Sequence, residues 1–302
     1  MRWPLLLTAA LAGCVAPSVA RPVAASLTIV AAGDLELSGA VDPLAELDGV
    51  LGSGLGFCNL EGPFSDGEAT PSATMLGAPA AHAVWLRGRF AVVSLANNHA
   101  LDRGDAGLRF TRGRLASVGV LGVEHTAIEA RPGLWWVARD LPPTTPLDHD
   151  AEVDRLVDEV RRLVGRGRVI VSLHWGHTGS LLPRPEQRRL AIRLVDAGAS
   201  AVLGHGPHTP QGVERHGHAI IAYSLGNLAF GCDCTDASDG YVLRFSLHSD
   251  GQVNEVSLVP IEAGLRRPAR RSSDPQLLEL LGRLTRDLGS VTHTRKGIIY
   301  VD

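Results

Sequence analysis

The sequence predicts an α/β fold with a mixed sheet, and three observations carry that reading. Six apolar runs, rich in β-branched or small residues, each stop at a polar cluster. Amphipathic helical patterns lie between several of them, and alternation of strand and helix marks an α/β architecture. The stretch YVLRFSLHSDGQVNEVSLVPI reads instead as a hairpin turning at Ser249-Asp250-Gly251, which adds antiparallel pairing.

The chain opens differently. Arg2 is followed by an apolar run from Leu5 to Leu11. That is short of the ~20 residues a spanning helix needs, and it suits the hydrophobic region of an export signal. It ends Leu11-Ala12-Gly13-Cys14, which resembles a bacterial lipobox. Residues 1–13 are therefore expected to be a lipoprotein signal peptide, with Cys14 lipidated. Residues 14–26, rich in Ala, Pro and Val, are expected to be a tether. The mature protein would face outward on a membrane. Cys58, Cys232 and Cys234 would then meet an oxidising compartment. One disulfide with one free thiol, or three inert thiols, are both open readings.

From Leu27 the strands follow in order: LTIVAAGD, LGFCNLEG, RFAVVSLANNH, VIVSLHWGH, ASAVLGHGPH and AIIAYSLGN. A helix from Asp154 to Val164 places Leu156, Val157, Val160, Leu163 and Val164 on one face. A second runs from Pro185 to Ala197 with Leu190, Leu194 and Val195, opened by Pro185 and closed by Gly198. RRPARR, ending at Arg271, reads as a solvated loop, and GIIYV as a last strand. The 302 residues with 45% hydrophobic and 20% charged content suit a globular domain spanning 27–302. A net charge of −3 gives no field that favours nucleic acid.

The polar strand ends collect Asp34 and Glu36; Asn59 and Glu61; Asn97, Asn98, His99 and Asp102; His174 and His177; His205 and His208. In open α/β sheets ligands bind at the carboxyl ends of the strands. Carboxylates, amides and imidazoles together suit zinc, manganese or iron better than calcium or magnesium. The set is long enough for one ion or for two about 3.5–4 Å apart.

In these stretches the chain resembles the CapA family of bacterial capsule-synthesis (poly-γ-glutamate) proteins. The matching blocks are GDLELSG, CNLEGP, SLANNHALDRGDAGL, HWG, RLVDAGASAVLGHGPHTPQGVE and IAYSLGNLAF. The resemblance implies a calcineurin-like metallophosphoesterase fold, an αββα sandwich with mixed sheets. It implies metal ligation by Asp34, Glu61, Asn98, His174, His205 and His208, with Glu61 as the bridging carboxylate. It further implies that His99 donates a proton to a leaving group and that Asp102 orients His99. Two departures stand out. The superfamily's usual first block is Asp-x-His, and here it is Asp34-Leu35-Glu36; Thr178 stands where the family often has glutamate.

Two functions are open on this reading. One is a metal-dependent hydrolase acting on a phosphoester or a polyglutamate-like chain. The other is a non-catalytic partner that binds an anionic polymer within a capsule synthesis or export complex.

Overall fold

Alternation decides which strand face enters which core. In the computed structural model, which describes residues 26–67, 75–148, 150–232, 234–235, 237 and 239–302, this alternation separates three large apolar clusters. The signal-peptide reading, Cys14 and nearly all of the tether lie outside the described residues. The strand Leu27–Leu35 sends Ile29 and Ala31 into one cluster and Val30 and Ala32 into another. The first cluster also holds Phe57, Trp136, Ile170, Leu203 and Tyr241, which come from two different sheets, so it fills the space between them. Phe57 and Trp136 stack across that space with ring centres 4.5 Å apart.

The larger sheet runs in the order Thr292–Arg295, Ile298–Val301, Val253–Glu262, Asp239–Leu247, Leu27–Leu35, Leu55–Leu60, Val92–Ser94, Leu121–Val123. Its last four strands are parallel and the others antiparallel. Asn227–Phe230 adds a short parallel partner at the end of Leu27–Leu35. The smaller sheet runs Val213–His216, Ala219–Ala222, Ala201–His205, Arg168–Trp175, Leu134–Leu141, Ile128–Arg131. Helices Ala151–Val164 and Pro185–Asp196 cover its outer face, where Val153, Leu156, Val160, Leu190 and Leu194 join Val169, Val171 and Val202. Helix Gly104–Ser117 lies outside the larger sheet, with Leu115 in the cluster of Val30 and Val93. The layers are helix, sheet, sheet, helix, as expected.

The hairpin, the final strand and both expected helices are present. The first of those helices begins at Ala151 rather than Asp154, because Asp150 caps it by accepting from the Glu152 N–H at 2.7 Å. Among the elements that the sequence pattern does not show are strand Leu134–Leu141 and helices Gly104–Ser117 and Pro275–Asp287. Helix Gly104–Ser117 buries only Thr111 and Leu115, so its apolar stripe is faint. RRPARR is mostly exposed, but Arg270–Arg271 pairs with Ile261 and Glu262 as a short edge strand, since Glu262 draws in both Arg267 and Arg270. Cys232 and Cys234 are joined in a disulfide, and Cys58 is a buried free thiol that burial and the Asp34 charge push up.

One irregularity positions the site. By strict alternation Asp34 would follow Val30 and Ala32 to the outer face. The register shifts between Ala31 and Asp34, and Leu35 joins Val30 in the outer cluster instead. This bulge turns Asp34 inward, a use of bulges common beside functional sites. It depends on Gly33, where a Cβ would stand 1.9 Å from the Gly226 carbonyl oxygen. Gly33→Ala should therefore destabilise by about 3 kcal/mol or more, as expected for a steric insertion into packed backbone. Loss of the helix cap in Asp150→Ala should cost only about 1 kcal/mol. Urea denaturation midpoints of the two variants check the order; equal losses would mean that the bulge can relax.

Candidate metal centre

Two cross-strand rows meet at the carboxyl ends of the sheets. In the larger sheet Asn227, Asp34, Asn59 and Ser94 are successive register partners. In the smaller sheet Asp140, His174 and His205 are. Parallel strands in register bring equivalent ends side by side, so each sheet presents a polar row to the other.

The two carboxylates of the site share a donor. The Asn59 amide nitrogen donates to Asp34 Oδ1 at 2.9 Å and to Glu61 Oε1 at 3.2 Å. Its orientation is set by Asn97, whose Nδ2 donates to Asn59 Oδ1 at 3.1 Å and to the Leu60 carbonyl at 2.9 Å. The Gly206 N–H reaches Asp34 Oδ2 from the other sheet at 3.2 Å. His205 Nδ1 lies 3.3 Å from Asp34 Oδ1, and His208 Nδ1 lies 3.2 Å from Asp34 Oδ2. His208 Nδ1 is also 3.0 Å from Asn227 Oδ1, and its Nε2 is 4.0 Å from Glu61 Oε2. His208 holds φ 57°, in the left-handed region that side chains disfavour. His174 Nε2 lies 3.3 Å from Glu61 Oε1, while Asp140 Oδ1 holds its Nδ1 at 3.0 Å.

Ligand atoms of Asp34, Glu61 and His208 all lie within 4.8 Å of one another. Among the described residues, Glu61 Oε2, His174 Nε2 and both ring nitrogens of His205 are buried and meet no group in hydrogen-bonding geometry, the 3.3 Å approaches of His174 to Glu61 and of His205 to Asp34 being ion-pair contacts only. Buried polar atoms are rarely left so. Oxygen and imidazole atoms converging without partners are the donor set of a divalent cation, and these residues fit one. Asp140 on His174 is the kind of outer contact that would orient the imidazole if it ligated a metal.

The charges balance in the same sense. Burial pushes Asp34 up, but His205 and His208 outweigh it and hold the carboxyl far below its ordinary range. Burial pushes His174 down, yet Asp140 and Glu61 raise it to about 10. His208 is likewise depressed by burial and raised by Glu61 and Asp34 to about 9. Without a cation, two imidazolium ions neutralise the carboxylates.

Asn98 is exposed and lines a cavity of about 160 Å³ with His174, Gly206 and His208. His99 and Asp102 are not among the clustered ligand atoms; Asn97 links them to Asn59. His99 Nδ1 is 2.8 Å from Asp102 Oδ2, and the His99 N–H donates to Asn97 Oδ1 at 3.1 Å. The Leu76 N–H also donates to Asp102 Oδ2. Glu36 is neither a ligand nor solvated: it is buried, pushed up by that burial, and accepts from Ser38 and the Gly231 N–H. His177 is exposed. The sequence marks Asn59 without giving it a role, and it points to neither Asp140 nor Asn227 as part of the site. GLWWVARD, an apolar run ending in aspartate, carried the signal for Asp140.

The comparisons with known proteins follow these stretches. The family described as "Bacterial capsule synthesis protein PGA_cap" matches residues 28–137 and 117–232. The PGA biosynthesis protein CapA of Bacillus subtilis is 26% identical over 66% of this chain and 58% of its own length. The capsule biosynthesis protein CapA of Bacillus anthracis is 32% identical over 44% of this chain and 30% of its own. A probable polyglutamine synthesis accessory protein of Mycobacterium tuberculosis is 29% identical over 45% of this chain and 44% of its own length. The chain thus spans between about a third and three fifths of the length of these relatives. The crystal structure of a hypothetical protein from Thermus thermophilus shares the fold, with a TM-score of 0.50 at 18% identity, covering 78% of this chain and 99% of that one.

Metal and protons should compete here. Ligation needs neutral imidazoles, and in the metal-free protein His174 and His208 stay protonated up to about 10 and 9. Each is raised above its ordinary 6.5, so the stability it lends the metal-free fold is full below 6.5 and is lost as pH rises through 9 and then 10. Binding of a divalent ion at pH 7 should release about two protons, one from each histidine, and apparent affinity should climb with pH until 10. Calorimetry in buffers of differing ionisation enthalpy counts the protons; a count of zero would remove these two histidines from the ligand set.

Proposed function

Because this chain belongs to the family of bacterial capsule synthesis proteins called PGA_cap, we propose that it serves capsule or poly-γ-glutamate synthesis as a metal-dependent hydrolase. The observation that carries this reading is the meeting of Asp34, Glu61, His174, His205 and His208 from four strand ends, with unanswered buried atoms among them. The substrate is a phosphoester, as in the metallophosphoesterases that the sequence resembles, or an amide of a polyglutamate-like chain. Relatives named for capsule and polyglutamine synthesis support the polymer context and a synthesis or export complex as partner. A lipid on Cys14 holds the protein at the outer side of a membrane, where such a polymer emerges.

The bound cation is zinc, manganese or iron, as suits a mixed oxygen and nitrogen donor set. When bound, it supplies Lewis-acid polarisation of the scissile group and activation of water. Asp34 and Glu61 would hold it from the larger sheet and His174, His205 and His208 from the smaller, while Asn98 lines the adjoining cavity with His174 and His208. The chain's own residues supply the proton transfer. The Asp102 carboxylate accepts from His99 Nδ1, which leaves His99 Nε2 to carry the proton given to the leaving oxygen or nitrogen. Asp102 is itself fixed by the Leu76 N–H, so the imidazole keeps its direction.

In the metal-loaded full chain, His99→Ala should lower turnover of a generic phosphodiester or a glutamate oligomer by about 10²–10⁴-fold and keep the metal. Asp34→Ala should lose both metal and turnover. Elemental analysis beside a rate assay separates the two variants. If the wild-type chain binds metal and polymer but turns nothing over, the binding-partner reading replaces this one.

Cys14→Ala should move the protein from the membrane fraction to the soluble extracytoplasmic fraction, since two or more acyl chains hold stably and none does not. Fractionation and blotting read this directly, and unchanged retention would refute the lipid anchor.

A further inference from the structure

The start of helix Pro185–Asp196 carries three buried side-chain N–H donors that no group among the described residues answers. They are Arg184 Nε, Arg184 Nη2 and Gln187 Nε2. Gln187 is 1% exposed. Its Oε1 accepts from the Arg184 backbone N–H at 2.9 Å, which turns its Nε2 the other way. That nitrogen faces Gly176: a Cβ on Gly176 would stand 2.9 Å from it. Arg184 uses only Nη1, which donates to the Pro143 carbonyl at 3.0 Å and pairs with Glu186 at 3.0 Å. Pro143 and Gly176 both line the cavity of about 160 Å³ that Asn98, His174 and His208 also line.

The idle edge of Arg184 is the one that recognises oxyanions. Nε and Nη2 lie side by side on the planar guanidinium, spaced for two oxygens of one carboxylate or phosphate. The same helix uses that edge twice. Arg188 Nε and Nη2 hold the Glu214 carboxylate at 3.0 and 2.9 Å, and the same two atoms of Arg189 hold Asp148. Among the described residues no carboxylate meets this edge of Arg184. Two donors on one guanidinium edge and a third on Gln187, close to the cavity wall, lack an acceptor that the oxygens of an anion would supply.

We propose that Arg184 and Gln187 form an anion subsite beside the metal centre that takes a carboxylate or phosphate group of the substrate. The Arg184 edge and Gln187 Nε2 hold this group, while the scissile group lies toward His174 and His208. Such an anchor away from the reacting bond spends binding energy on orientation. The subsite's role rests on the hydrolase reading, but its binding of anions does not need turnover.

The test is calorimetric titration of inorganic phosphate, and separately of glutarate, into chelator-treated full chain. The wild type is compared with Arg184→Gln and Arg184→Lys. The wild type should bind at least one of the two anions, tenfold or more tighter than Arg184→Gln. Arg184→Lys should fall between, because a lysine keeps the charge and loses the fork. A preference for phosphate assigns the subsite to a phosphoester; a preference for glutarate assigns it to a polyglutamate-like chain. Equal affinity in wild type and Arg184→Gln overturns the proposal, as does no binding of either anion by the wild type at tens of millimolar, in which case water serves the donors. Should Arg184→Gln not fold, Arg184→Lys decides: wild-type affinity there refutes the fork. In the metal-loaded chain, Arg184→Gln should lower kcat/KM for an anionic substrate about tenfold, with kcat falling as well as KM rising. Failure of all turnover would sink the hydrolase reading and leave the titration result standing.

Discussion

A fully buried carboxylate, Asp34, is the constraint on which the rest depends. A buried charge costs several kcal/mol unless it is paired and hydrogen-bonded. Asp34 takes its partners from both sheets: Asn59 from its own, and the Gly206 N–H, His205 and His208 from the other. The sheets therefore cannot slide past each other at this end without stranding a charge. What looks like a ligand cluster is also the polar clasp of the sandwich. A cation there would take over the neutralising work that His174 and His208 perform as imidazolium ions in its absence.

The backbone is equally tight at this end. Gly33 admits the Gly226 carbonyl, and Gly204 admits the Tyr223 carbonyl, each at 1.9 Å from where a Cβ would stand. One glycine lies just before Asp34 and the other just before His205. On both sheets the residue that bears the chemistry follows a place where only a missing side chain lets two strands close up. The positions of Asp34 and His205 are thus set by close backbone contact as well as by side-chain packing, as suits a site held on rigid elements.

A small apolar group joins the two halves of the chemistry. Phe230 meets the His208 ring edge-on at 5.5 Å and clusters with Cys232 and Leu76. The Leu76 N–H holds Asp102, which holds His99. The same contacts therefore brace both His208 and the Asp102 that holds His99, the proposed proton donor. Cys234 packs against this group through its disulfide to Cys232. Disulfides persist in oxidising compartments, which accords with the proposed export of the chain.

The order of strands, their polar carboxyl ends, the hairpin and the His99–Asp102 pair were all legible in the sequence. Each depends on residues near one another in the chain, where period and spacing suffice. The sequence also marked Asp34, Glu61, His174, His205 and His208 as chemistry-bearing, because polar side chains ending apolar runs are costly without a purpose. It could not place Asp34. Alternation alone sends that side chain outward with Val30 and Ala32, and only the close approach of Gly226, nearly two hundred residues later, forces the bulge that turns it in. Nor could it pair Asp140 with His174, 34 residues apart, or bring Asn227 to His208. Those contacts follow from which strands lie side by side and in what register. That is settled by burying Phe57, Trp136 and their neighbours between two sheets, and no local pattern encodes it.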